Sequence, residues 1–193
     1  MKKWRVKILL VFMAAVFAAA AFAFEPVTLK DDKTGMTAEL YPIPDEEELL
    51  FYGNMRFGYS VNVPSMIFTE VVLLPDYEDG MILESKDGTS RFRVTGGYVM
   101  DNENDEMKVR ESFNAAIKAI EEKGGYPSFE LEDDNWLVTW REGDKLHIRK
   151  FLLKKGAGVW SEIEIYYDSP EGEVHPLARI IDESINSLVF GEG

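Results

Sequence analysis

Two periods run through this chain. Apolar and polar residues alternate in several short stretches, the signature of half-buried strands. In two longer stretches apolar residues recur every three to four positions, the signature of helices with one apolar stripe. The first alternating segment predicts a hairpin over Phe24 to Tyr41. There VTL and MTAEL flank KDDKTG, and Asp31, Asp32 and Gly35 supply the turn. YPIPDEEE follows. Pro42 and Pro44 interrupt regular structure, and the acidic run Asp45 to Glu48 reads as a solvated linker. In RFGYSVNVPSMIF, Phe57, Tyr59, Val61 and Val63 alternate with Gly58, Ser60 and Asn62. This predicts a strand that Pro64 ends, because proline has no N–H for a ladder. Ser65 then suits the start of a short helix or turn carrying Met66, Ile67, Val71 and Val72.

PDYEDG is a loop. Met81 to Ser85 and Ser90 to Met100 read as paired strands around the turn KDG, with Gly96-Gly97 marking a bulge or a close backbone approach. From Glu106 to Lys123, Val109, Phe113, Ala116, Ile117 and Ile120 fall on one helical face, and Gly124-Gly125 provides a stop. PSFELED, NWLVTWREG, KLHIRKFLLKK and VWSEIEIYYD then read as strands, the last three an antiparallel meander turning at EGD and GAG. A final helix over Pro176 to Val189 carries Leu177, Ile180, Ile181, Ile185 and Leu188 on one side. Hairpin-length links exclude a mainly parallel sheet. The fold class is α+β: an antiparallel β-sheet with helices packed on it, preceded by an N-terminal β-hairpin.

Charge and composition narrow the setting. Lys2, Lys3, Arg5 and Lys7 precede an apolar run from Ile8 to Ala23 that closes on Ala21-Phe22-Ala23. This is the pattern of a secretory signal cleaved after Ala23, which makes the protein periplasmic or secreted; an uncleaved N-terminal anchor is the alternative. The run is shorter than the roughly 20 residues of a membrane-spanning helix, so no stable membrane insertion is expected once the signal is removed. The resulting division is a signal peptide over 1–23, the hairpin and acidic linker over 24–50, and one α/β domain over 51–193. Signal removal takes away four basic residues and no acidic one, moving the formal charge from −14 to −18. Such a chain repels phosphate backbones, which argues against nucleic acid as a partner. The chain contains no cysteine, which excludes disulfides, thiol nucleophiles and cysteine-ligated metals.

Candidate chemistry is sparse. The histidines are His147 and His175; no G-x-S-x-G elbow is present and nothing pairs a serine with either ring, so no catalytic residue is assigned and no cofactor is expected. Asp101, Glu103 and Asp105 space oxygens like the start of a calcium loop. However, Glu106 stands where that loop needs glycine and Ser112 where it needs glutamate. The ordinary reading of these acids is a helix N-terminus. The mixed strand faces are more informative. Trp160, Glu162, Glu164 and Tyr166 point to one side of their strand, while Val159, Ile163, Ile165 and Tyr167 point to the other, toward the helices. His147, Arg149 and Phe151 share a side of the preceding strand, and Arg91 and Arg93 share a side of SRFRV. Arg93, His147, Arg149, Trp160, Glu162, Glu164 and Tyr166 are therefore the candidate surface for a ligand or partner. Cross-strand pairing on a solvated face is the structural alternative, and cover by the N-terminal hairpin is another.

The order of these segments resembles a known family. FGYSVNVPSMI, GMILESKDGTSRFRVTGG followed by a helix, NWLVTWREGDKLHIRKFLL, and the closing ARIIDESINSLVF are similar to the PsbP-like domains, relatives of the photosystem II extrinsic subunit and their exported bacterial cousins. The resemblance covers about Phe57 to Phe190 and lies in order and pattern; its individual motifs are short. It implies an α/β sandwich and an accessory role, since members mostly bind or stabilise partners and some bind metal. No ligand motif matches, so no metal ligand is carried over. The expected function is an exported, non-catalytic accessory or binding module acting on an envelope or extracellular protein. Divalent-cation binding (calcium or manganese) is the alternative, with an atypical hydrolase behind it.

Overall fold

The structure, a computed structural model, describes residues 25–75, 79–99, 105–170 and 176–191. The signal segment, His175, Asp101 and Glu103 lie outside the described residues.

Among the described residues, twelve strands form two antiparallel sheets. The first contains β1 (Val27–Lys30), β2 (Thr37–Ile43), β3 (Glu46–Asn54), β4 (Tyr59–Pro64) and β12 (Val189–Phe190), in that order across the sheet. The second runs β5 (Glu70–Leu73), β6 (Gly80–Glu84), β7 (Arg91–Tyr98), β11 (Val159–Asp168), β10 (Lys145–Lys154), β9 (Asn135–Glu142) and β8 (Ser128–Leu131). The helices α1 (Asp105–Glu121) and α2 (Ala178–Ser187) complete an α+β sandwich.

The inner faces of the sheets meet in one core. Leu40, Leu49, Tyr59, Val61 and Val63 from the first sheet pack with Met81, Leu83, Phe92, Val94, Ile163 and Ile165 from the second, and with Ile180, Ile181, Ile185 and Leu188 around α2. Several of these are fully buried, each contributing roughly 1.5–3 kcal/mol through burial. Gly96 is small for a reason seen here. A Cβ on it would lie 2.7 Å from the Tyr59 ring and 2.9 Å from the Phe57 ring, so the sheets touch through bare backbone. Gly97, facing the other way, leaves the same room for the Trp160 indole.

Four expectations are corrected. Asp45–Glu48 is not a linker. Asp45 takes a left-handed conformation (φ 64°), a strain that Asp tolerates better than most residues, and Glu46 already starts β3. The hairpin is therefore continuous with the first sheet, because β2 pairs with β3. Val71 and Val72 belong to strand β5, not to a helix or turn. The inner side of β11 meets the first sheet and α2, whereas α1 packs on the opposite side, so the two helices flank different faces. The N-terminal hairpin consequently lies on the far side of the second sheet from Trp160 and Tyr166 and does not cover them.

Side chains fix the joins. Asp31 Oδ1 accepts from the Lys33 and Thr34 amides (2.8 and 3.3 Å), and its Oδ2 accepts from the Leu74 amide (3.2 Å), tying the first hairpin to the chain beyond β5. These donors hold its carboxyl below the usual carboxylate range. At the β4 edge α2 replaces a missing strand. The Asn62 amide donates to Ser187 Oγ (2.7 Å), and Ser184 Oγ donates to the Asn62 carbonyl (2.6 Å).

Candidate functional site

The outer face of the second sheet is ordered in rows, because residues opposite one another in an antiparallel ladder share a face. One row aligns Trp136, Phe151, Glu162 and Thr95; the next aligns Val138, Arg149, Glu164 and Arg93; the third aligns Trp140, His147, Tyr166 and Arg91. All seven candidate residues, Arg93, His147, Arg149, Trp160, Glu162, Glu164 and Tyr166, stand on this face.

They fall into two environments. At one end α1 lays Val109, Phe113, Ala116 and Ile120 over Trp136, Val138, Phe151 and Leu153, with Trp160 packed against the same cluster. The rings stack across the strands: Trp136 on Phe151 (centroids 5.7 Å, planes 5° apart) and Phe151 on Trp160 (5.8 Å, 19°). The helix is held at its start by Asp105, whose Oδ2 accepts from the Gly156 amide (2.7 Å) in the β10–β11 turn. Asp105 thus serves the helix start, and Trp160 serves the helix seat.

Beyond the helix the face becomes ionic. Glu162, only 5% exposed, accepts from Arg93 through Oε1 and from Arg149 through Oε2 (2.7 Å). Glu164 lies 3.7 Å from Arg93, and Arg91 pairs with Glu84. Arg149 also sits over the Trp136 ring at 5.5 Å. Next to this network His147, 8% exposed, is sandwiched between Trp140 (4.7 Å, 17°) and Tyr166 (5.1 Å, 40°). Lys145 Nζ lies over the Tyr166 ring, 4.8 Å from its centroid. Burial pushes the His147 pKa below its ordinary value, outweighing the opposite pull of Glu142 and Glu164. Glu142 Oε2 is 3.7 Å from His147 Nε2, an approach too long for a hydrogen bond.

The hydrogen-bond accounting singles this face out. Among the described residues, four buried side-chain nitrogens have no hydrogen-bond partner: Nε of Arg93, Nε of Arg149, and both ring nitrogens of His147. All four belong to adjacent rows of one surface. No serine hydroxyl engages His147, so no nucleophile–base pair forms there. Among the described residues no three His, Asp or Glu side chains converge as a metal site needs. No helix among them is long and apolar enough to cross a membrane.

Sequence pattern identified the members of the face but not its Trp140–His147–Tyr166 stack. The signal was present in the period-2 series Trp136, Val138, Trp140, which places a second indole beside the histidine strand.

No protein-family model and no curated protein matches the sequence. Solved structures do. Cyanobacterial PsbP (CyanoP) from Synechocystis is similar with a TM-score of 0.54 at 10% identity, over 78% of this chain and 97% of that one. The Ran-binding protein Mog1p from Saccharomyces cerevisiae gives a TM-score of 0.45 at 10% identity, over 74% of this chain and 95% of its own. The first likeness establishes that the fold is PsbP-like.

Proposed function

We propose that this chain is an exported, non-catalytic accessory module that docks an envelope or extracellular protein through the uncovered part of the outer sheet face. The observation that carries the reading is the grouping of the four unpartnered nitrogens of Arg93, Arg149 and His147. A buried donor without an acceptor costs on the order of 1–3 kcal/mol, and folded proteins rarely leave several together. A partner that displaces the rim side chains Glu142 and Tyr166 and supplies acceptor oxygens recovers that energy. The aromatic and arginine composition is that of interface centres. The basic n-region, apolar run and Ala21-Phe22-Ala23 support export.

Site-specific photocrosslinking in cells tests the docking. A photoreactive residue in place of Tyr166 is expected to capture a discrete protein, with capture lost on Arg91→Glu. The same residue in place of Met66, an exposed turn position, is expected to capture nothing. Identical products from both positions, or none from Tyr166, would rule the reading out. N-terminal sequencing tests export: the mature chain is expected to begin at Phe24, and recovery of an intact Met1 terminus counts against cleavage.

A further inference from the structure

Among the strands of the described residues, β8 alone is exposed at every residue. Among the described residues its outward side has no partner strand, since β8 ends the second sheet and pairs with β9. The register shows which groups are free. The Glu132 amide donates to the Asn135 carbonyl (2.9 Å), closing a two-residue turn at Asp133-Asp134. Alternation along an antiparallel ladder then makes Glu130↔Leu137 and Ser128↔Thr139 the hydrogen-bonded pairs. The N–H and C=O groups of Phe129 and Leu131 therefore point away from β9.

The side chains at the same two positions are large, apolar and exposed, Phe129 at 55% and Leu131 at 38%. They stand on the α1 side, where Phe113 meets Phe129 edge-on at 5.1 Å. Glu130 and Glu132 stand on the other side. From Tyr126 to Asn135 the chain has four acidic side chains and no basic one; Lys155 approaches Asp133 and Asp134 (3.9 and 3.8 Å), and Lys150 interacts electrostatically with Glu132. Sheet edges are ordinarily blunted by lysine, proline or a covering element. Pro127 precedes this edge, but the strand itself offers unpaired backbone, two apolar anchors and the exposed Glu130 carboxylate.

We propose that the β8 edge takes an extended segment of a partner protein as an added strand, and that this segment alternates apolar residues with lysine or arginine. Backbone pairing supplies the binding, apolar residues cover Phe129 and Leu131, and the basic residues oppose Glu130 and Glu132. A second copy of this chain is a poor occupant, because it would bring the same acids against these. The edge and the charged face are separate surfaces, so each reading stands or falls without the other.

Amide hydrogen exchange on the purified protein tests this with an end-blocked hexapeptide of alternating lysine and valine. The expected result is new protection at the Phe129 and Leu131 amides, absent with the glutamate–valine peptide. Glu130→Lys is expected to weaken the lysine peptide about tenfold and to favour the glutamate one. Unchanged exchange at Trp136 and Val138 shows that the variant keeps its fold. Phe129→Pro removes an outward N–H without touching the β8–β9 ladder and is expected to abolish protection at Leu131. No protection, equal protection by both peptides, or protection that appears on concentrating the protein alone would overturn the proposal.

Discussion

At the Trp136–Trp160 end of the outer face, the strands meet α1 through stacked rings. Glu162 continues the Trp136–Phe151 row, and one row farther along the same strands the rings give way to Arg93, Arg149 and Glu164. The backbone is continuous between the two ends, so the difference lies in side-chain chemistry. Apolar surface is removed from water by any complementary apolar surface, and the chain's own helix supplies it. Buried charges and donors need directed partners, and those of Arg93, Arg149 and His147 are incompletely met among the described residues. The first end buries apolar surface under α1; the second is the part of the face that the docking proposal assigns to recognition.

Replacing Trp136 with Ala should have the largest effect, about 3–5 kcal/mol in urea unfolding, because a fully buried indole leaves a cavity under α1. A loss below about 1 kcal/mol would mean that the helix does not rest on the aromatic rows. At the other end, Glu162→Ala leaves two arginines facing each other and should cost about 2 kcal/mol, less than for a wholly buried pair because both arginines reach solvent. The sharper test replaces Arg93, Glu162 and Arg149 together with Met, Leu and Met. Stability should stay within about 1 kcal/mol of the starting protein while crosslinking from position 166 disappears. A large stability loss in this triple variant would make the network structural and end the contrast.

Gly97→Ala probes the boundary between the ends. A Cβ there would lie 2.7 Å from the Trp160 ring, and an expected loss of about 1–3 kcal/mol reports how firmly that indole is pinned. The smallest effect is the pH dependence of His147. Its pKa is lowered in the fold, so below the ordinary histidine value of 6.5 the unfolded chain binds the proton more readily. Stability should therefore be unaffected by this group above that value and fall as pH drops from it toward the lowered folded pKa. His147→Phe, which keeps the ring stack, should flatten the slope in urea midpoints between about pH 8 and pH 5. An unchanged slope would assign the effect elsewhere; Asp31 and Asp87, whose carboxyls are held low, act only at more acidic pH.

The legible parts of the fold had one clear period each. The stripe Val109, Phe113, Ala116, Ile120 gave α1 to within two residues at each end, and alternation with short turns gave the β9–β10–β11 meander. Strand β3 was not legible because its exposed and buried positions are both apolar: Phe51 is exposed, Leu49 and Tyr52 are buried, and three glutamates precede them. The division into two sheets was equally hidden, since nothing local distinguishes an inner sheet face from one covered by a helix. The same ambiguity concealed the placement of α1. Trp160 lies on the charged side of β11 by alternation, yet its neighbours Phe151 and Gly97 make it a helix contact. The site residues were legible because alternation assigns a side; their burial and unmet hydrogen bonds depend on what stacks above, and that is tertiary.

The short strand β12 sets the order in which the molecule can be completed. Val189 and Phe190 pair with Ser60 and Tyr59, and Ser184 and Ser187 occupy the neighbouring backbone of Asn62, across a separation of more than a hundred residues. Until that distant segment is present, β4 has an unzipped margin and the first sheet an unfinished core. High sequence separation of this kind slows folding. While a ribosome still holds α2 and β12, the sandwich behind them is unlocked, and their release is the step that shuts it.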